Sequence, residues 1–269
     1  AFLNKLFSLN NKVAIVTGAG SAIPGVMGNG KAAAILYARE GAQVVLVDRS
    51  NSVDETSLPI TQKGGECITF KADASKPGDC EAIIEKCVET YGRVDILHNN
   101  VGIGIPGGMH ETSEADWDKT MNINLKGTFL MCKYALPHME EQGSGCIINI
   151  SSIQAIRTLS YSSVAYCVSK AGIIALTREV AIQYAQKGIR ANAILPGLMD
   201  TPLVTATLID AYGGNIEEMK KTRDAMCPMG KQGDAWDTAY LALFLASNEA
   251  KYMTGEAVLV DGGLTHAMR

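Results

Sequence analysis

The chain has 269 residues, 47% of them hydrophobic and 19% charged, with a net charge of −4; that balance supplies a sizeable core and excludes a disordered chain. No basic stripe is available to displace counterions from nucleic-acid phosphates. The apolar runs fall far short of the ~20 residues that span a bilayer, and residues 1–10, AFLNKLFSLN, carry no signal-peptide pattern, so a soluble cytoplasmic protein is expected.

Short apolar runs alternate with longer helix-compatible stretches, and no Pro/Ser linker or repeat divides them. A strand at 12–17 leads through a glycine-rich turn into a helix at 30–40, and a second strand follows at 43–48. A strand at 66–71 precedes a helix at 77–91, and a strand at 95–99 precedes a long helix at 113–138. A strand at 146–150 is followed by a helix at 161–185, a strand at 189–194, a helix at 234–245 and a last strand at 257–261. Most of these strands are continuously apolar, as parallel strands covered on both faces are. The pattern predicts an α/β fold: a single-domain Rossmann fold over 1–269, with a doubly wound seven-stranded parallel sheet and helices on both faces. Ligands then belong at the carboxyl ends of the strands. Between the last two strands, residues 198–228 read as two short helices joined by Gly213 and Gly214, suited to a mobile substrate lid.

The seven cysteines, Cys67, Cys80, Cys87, Cys132, Cys146, Cys167 and Cys227, form no CxxC pair and have no histidine at zinc-ligand spacing. They read as reduced, and no metal is expected. Cys167 adjoins Tyr166 but is turned about 100° from it around a helix.

The first βα turn, residues 16–34, reads VTGAGSAIPGVMGNGKAAA. Glycines there let the chain approach a pyrophosphate, which the free amides of the following helix can hold; ordinary turns also collect glycine. The second strand ends at Asp48, where a carboxylate can bond both ribose hydroxyls of NAD and repel the 2′-phosphate of NADP. Its alternative is a strand-end turn residue, and Arg49 stands beside it. Tyr166 and Lys170 lie four apart in the helix-compatible AYCVSKAGIIA, so their side chains share a face. An ammonium beside a phenol favours the phenolate and brings tyrosine toward use as a general base, although surface Tyr/Lys pairs occur at the same spacing. Ser151 and Ser152 close the predicted strand upstream, in CIINISS.

Together these motifs resemble the short-chain dehydrogenase/reductase family over residues 11–263. Thr17 and Gly18 with Gly28 and Gly30 are similar to its TGxxxGxG, Asn99 to Gly102 to its NNAG, and Ser152, Tyr166 and Lys170 to its catalytic set. The resemblance adds Asn124 in MNINLKG to that set. It assigns Asp73 to the adenine, Pro196, Gly197 and Thr201 to the nicotinamide carboxamide, and Asn100 and Gly102 to the cofactor side. It implies NAD as cofactor and a small-molecule alcohol or ketone as substrate. Tyr166 would be general base or acid, Lys170 would lower its pKa and bond the nicotinamide ribose, Ser152 would hold the substrate oxygen, and Asn124 would position a water beside Lys170. Three departures stand out: about six extra residues at 22–27 in the glycine turn, Val101 for the Ala of NNAG, and one extra residue between Ser152 and Tyr166.

Substrate choice is expected in segments 102–111, 153–165 and 198–228, where Met109, Met199, Leu203 and Met226 mix with Gln154, Arg157 and Tyr161. Arg157 reads as a carboxylate partner or a solvated charge. His98 reads as structural, and His110 as a loop residue near substrate. The helices at 113–138 and 161–185 carry Phe129, Met131, Ile173 and Leu176 on more than one face, which, with the family's habit, predicts a homo-oligomer, dimer or tetramer. Two alternatives are a non-catalytic NAD-binding sensor or scaffold and an NADP-linked carbonyl reductase. The intact Ser152, Tyr166, Lys170 and Asn124 set argues against the first, and Asp48 against the second.

Overall fold

Valine, isoleucine and leucine in unbroken runs make strands buried on both faces, and β1 (Val13–Thr17) and β4 (Ile96–Asn99) are buried at every position. The computed structural model describes residues 6–159 and 161–267. Residues 1–5 of the amino-terminal stretch and Ser160 of the 153–165 segment lie outside that set. β1 and β4 with β2 (Gln43–Asp48), β3 (Cys67–Lys71), β5 (Gly145–Ile150), β6 (Ile189–Pro196) and β7 (Ala257–Val260) form one parallel sheet in the order β3-β2-β1-β4-β5-β6-β7. This is the expected seven-stranded Rossmann arrangement. Only the edges depart from the expected burial: β3 and β7 are half-exposed because each has one neighbour.

Alternate residues of each strand feed two separate cores. Ala14 and Val16 pack with α1 (Asn29–Arg39) and α9 (Ala235–Ala246), while Val13 and Ile15 pack with α3 (Pro77–Tyr91), α5 (Gly127–Gln142) and the end of α6 (Val164–Tyr184). The order reverses between β1 and β4, whose following helices α1 and α5 lie on opposite faces of the sheet, so the connections leaving their carboxyl ends part and leave a crevice.

Three helices differ from expectation. The predicted helix at 113–138 is α4 (Glu114–Met121), a π-helical turn (Asn122–Lys126) and α5, which runs through Pro137 to the left-handed Gly143. Leu136 and Met139 are buried there, so packing outweighs the hydrogen bond that Pro137 cannot make. The predicted helix at 161–185 begins at Val164. A helix absent from the sequence reading, α2 (Val53–Thr61), follows β2; it is polar and contains Pro59. Its signal was the S-x-x-E spacing of Ser52 and Glu55. Between β6 and β7, α7 (Pro202–Leu208) and α8 (Ile216–Met226) flank Gly213 and Gly214, both with positive φ. Among the described residues no helix is long and apolar enough to cross a membrane.

Candidate active site

A cleft of about 480 Å³ opens over the carboxyl ends of β1, β2 and β4, within the range of small-molecule sites. Gly18, Gly28, Gly30, Asp48, Asp73, Asn100, Gly102 and Thr201 line it, as expected from the sequence. Pro196 and Gly197 are not among its lining residues. Gly197 is instead needed where β6 passes β7, since a Cβ there would come within 2.6 Å of the Asp261 Cα.

The glycine turn is held from below and from the side. Gly18 has φ +66°, and a Cβ on Gly30 would lie 2.2 Å from the Gly18 carbonyl oxygen. Asn100 supports the same turn by donating from Nδ2 to that carbonyl at 3.1 Å. Gly28, expected as the second motif glycine, caps α1 in an extended conformation, and a Cβ on it would meet nothing nearer than 3.8 Å. The close approach occurs at Gly20, which the sequence reading passed over: a Cβ there would lie 2.3 Å from Ser52 Oγ and 2.9 Å from Asp48 Oδ2.

Helix α2 braces that longer turn. Thr56 Oγ1 donates to the Ala19 carbonyl at 2.7 Å, the Ser21 amide donates to Ser52 Oγ at 3.0 Å, and the Gly25 amide donates to Glu55 Oε2 at 3.3 Å. Glu55 also faces the buried Lys31 ammonium at 3.8 Å. Asp48 Oδ2 accepts the Gly20 amide at 3.1 Å, and Oδ1 accepts the Ser50 amide and hydroxyl, both at 2.9 Å. A carboxylate has about four acceptor directions, so with three bonds accepted Asp48 retains one for a hydroxyl donor in the cleft, and the Ser50 hydroxyl could yield a second. Asp73 lies across from it; burial pushes its carboxyl up, but the Ser75 hydroxyl and amide, with Lys76 and Arg49 nearby, leave it below its ordinary value. Bare glycine backbone at the first turn of α1, with the carboxylates of Asp48 and Asp73 to one side of it and Asn100 and Gly102 to the other, fits an extended dinucleotide.

The catalytic candidates meet beyond the far end of this cleft. Ser152 follows β5, its Oγ accepting the Gln154 amide at 3.2 Å, and lies close enough to Tyr166 on α6 to pull the phenol's pKa down. Lys170, one turn on and 3% exposed, puts Nζ 5.6 Å from the Tyr166 ring centroid and donates to the Ile150 carbonyl at 2.8 Å. Burial pushes the Tyr166 phenol up to about 12, against the pull of Ser152, and lowers the Lys170 ammonium to about 8. A Cβ on Gly102 would lie 3.2 Å from Lys170 Nζ and 3.5 Å from Asn124 Oδ1, so this glycine is the point where cleft and catalytic groups join. Asn124, fully buried in the π-helical turn, accepts the Ile103 amide at 2.8 Å and donates to the Ile103 carbonyl at 2.9 Å and Ser169 Oγ at 3.0 Å. Its side chain is thus a clamp on the loop after β4.

The competing residues fall away from the chemistry. Ser151 is buried and donates to the Lys170 carbonyl. His98 is enclosed against Tyr37, 2.9 Å from its hydroxyl, and burial lowers it to about 3. His110 and Met109 are exposed, whereas Met199 is buried. Burial raises the Cys167 thiol, which disfavours a thiolate. Arg157 fits neither expected reading: its guanidinium donates to the carbonyls of Thr265 at 2.7 Å and Ala267 at 2.6 Å. Among the described residues no group of three His, Cys, Asp or Glu side chains could hold a metal ion. A polar ladder also went unseen in the sequence: Asn99 Nδ2 donates to Asn149 Oδ1, and Asn149 Nδ2 donates to Thr177 Oγ1, each at 2.9 Å, joining β4, β5 and α6.

Residues 25–265 match a family model described as enoyl-(acyl carrier protein) reductase. The chain is 44% identical to a crystal structure described as a short-chain dehydrogenase/reductase from Burkholderia xenovorans, with a TM-score of 0.92 over 97% of this chain and 99% of that one. The chain belongs to the short-chain dehydrogenase/reductase family. Among other relatives, it is 41% identical to an uncharacterized oxidoreductase of Thermotoga maritima over 96% of this chain and 99% of the relative. It is 36% identical to an NAD-dependent glycerol dehydrogenase of Listeria innocua over 97% of each. The short-chain dehydrogenase fold thus carries an oxidoreductase that uses a nicotinamide dinucleotide.

Proposed function

We propose that this oxidoreductase interconverts a neutral secondary alcohol and its ketone with NAD. The observation that carries the reading is the Tyr166 phenol, with Ser152 beside it and the Lys170 ammonium 5.6 Å from its ring centroid, grouped beyond the Gly102 end of a cleft that also holds Asp48. Gly18 and Gly30, with the first turn of α1, would receive the pyrophosphate, Asp48 the adenosine ribose and Asp73 the adenine. Thr201, Asn100 and Gly102 would flank the nicotinamide half, with Pro196 and Gly197 supporting it from β6. The bound nicotinamide supplies the hydride acceptor or donor.

The protein's own part is proton handling. Ser152 holds the substrate oxygen; Tyr166 removes its proton in the oxidative direction and returns it in the reductive one. Lys170 keeps positive charge beside the phenol and bonds the nicotinamide ribose. With the Asn124 side chain committed to Ile103 and Ser169, a relay water near Lys170 would have to be held by main chain.

The neutral substrate follows from Arg157, the one charged residue within 153–163, whose guanidinium is engaged by backbone carbonyls. Helices α7 and α8 would act as a lid; Gly104 lies between Tyr166 and Thr207 of α7, with an added Cβ 3.8 Å from each. The whole chain is proposed to work as one catalytic domain in a cytoplasmic homo-oligomer.

The test follows reduced-nicotinamide absorbance with a panel of neutral alcohols, diols and hydroxy acids, using NAD and NADP separately. Turnover with NAD on neutral members, abolished in Tyr166→Phe, is expected. NAD binding without turnover would favour the sensor, and faster reduction with NADPH would favour the carbonyl reductase.

A further inference from the structure

The Arg157 contacts belong to a larger construction outside the cofactor cleft. After β7 the chain turns through Gly262 and Gly263, with φ +59° and +83°, conformations that side chains disfavour. Asp261 fixes this turn: Oδ1 accepts the Gly263 amide at 3.0 Å and Oδ2 the Thr265 amide at 2.7 Å. Leu264 is thereby driven inward and is 6% exposed. It joins a small apolar cluster with Ile153 and Leu159 after β5, Leu198 after β6, and Met226 and Cys227 at the end of α8. Above this cluster the Arg157 guanidinium bridges to the Thr265 and Ala267 carbonyls. The 153–159 loop begins one residue after Ser152, whose Oγ accepts the Gln154 amide at 3.2 Å. Whatever holds this loop therefore holds the wall beside the reacting oxygen.

We infer that Arg157 is a positioning residue: with Leu264 it straps residues 153–159 to the segment 261–267 and so sets substrate affinity without touching substrate, cofactor or the reacting atoms. Two carbonyl acceptors fix the guanidinium as a planar fork, which a lysine ammonium cannot reproduce. The strap also joins the proposed lid to the substrate wall, since the cluster takes residues from α8 and from the 153–159 loop alike. The inference rests on the oxidoreductase reading for its kinetic consequence, but not for its structural one.

The experiment compares wild type, Arg157→Met, Arg157→Lys and Leu264→Ala in hydrogen exchange, with and without NAD, and in steady-state kinetics on cyclohexanol, 2-butanol and glycerol. Arg157→Met should speed exchange in both 153–159 and 264–267, leave NAD affinity unchanged, and raise KM by about tenfold while kcat stays within about threefold, the pattern of lost ground-state positioning. Arg157→Lys should fall between, and Leu264→Ala should reproduce the exchange change from the other side of the strap. Unchanged exchange in either segment of Arg157→Met would overturn the inference, as would a kcat loss with KM intact. If wild type turns over none of the three alcohols, the oxidoreductase reading loses ground while the two exchange segments still decide the strap.

Discussion

The hydroxyl of Ser151 donates to the backbone carbonyl of Lys170 at 2.8 Å, while the adjacent Ser152 lies beside Tyr166 and pulls its phenol's pKa down. Two neighbouring serines thus divide the labour: one docks α6 on the end of β5, the other faces the chemistry. Ser151→Ala should cost about 0.5–1.5 kcal/mol, the net worth of one buried hydrogen bond to a carbonyl that keeps its helical donor, and leave kcat nearly intact. Ser152→Ala should lower kcat by ~10²-fold with little loss of stability. Thermal unfolding and kcat measured on both variants check the division.

Lys170 predicts the sign of a pH effect. Its ammonium is lowered to about 8 by burial, so between there and its ordinary value near ~10.4 the unfolded chain binds more protons and stability rises with pH. Tyr166 works in the opposite direction: raised to about 12, it contributes stability below its ordinary ~10 that is lost as pH climbs toward the folded value. Denaturant midpoints from pH 8 to 10 should therefore rise in the cofactor-free protein relative to Lys170→Met; parallel curves would refute the Lys170 assignment.

Burial alone leaves Tyr166 a poor base at neutral pH. Ultraviolet titration should find its phenol protonated beyond pH ~10 in the cofactor-free protein. In the NAD complex, added positive charge near the ring should move the ionisation downward. A difference titration against Tyr166→Phe, with and without NAD, reads this directly.

Asp48 carries the cofactor preference. Asp48→Ser should weaken NAD binding by about tenfold or more, since it removes both the ribose acceptor and the partner of the Gly20 amide. NADP should lose less, because repulsion of the 2′-phosphate disappears and Arg49 remains. Kd values for both dinucleotides decide it, and equal losses would count against the ribose role.

The oligomer prediction now has specific residues. Of the four apolar residues read as surplus on the long helices, Met131 and Ile173 are buried, Leu176 packs against the core, and Phe129 is 46% exposed. Val168 and Ile182 on α6 are also exposed. Sedimentation should show a dimer or tetramer that Phe129→Glu with Ile182→Glu dissociates, whereas a monomeric wild type at micromolar concentration would remove the prediction.

Legibility followed the range over which each signal acts. All seven strands start within a residue of their expected places, because a strand buried on both faces must be apolar along its length. Helical spacing put Tyr166 and Lys170 on one face, but the pair stood out from an ordinary surface pair only alongside Ser152 and the glycine turn. Helix α2 was hidden because its apolar face is only Val53 and Ile60, broken by Pro59, with the rest of its contacts going to the glycine turn. Gly20 was passed over because motif spacing favoured Gly28, and only the positions of Ser52 and Asp48 reveal which glycine is crowded. Arg157 was illegible in principle, since its partners lie more than a hundred residues later.

The bracing of the glycine turn by Ser52, Glu55 and Thr56 makes turn and helix a single heritable cassette. Residues 19–28 grafted alone into a relative with a shorter turn would arrive without acceptors for the Ser21 and Gly25 amides or a donor for the Ala19 carbonyl. Recombination between family members would keep the cofactor loop functional only when its breakpoints lie outside 18–61, so that the two travel together.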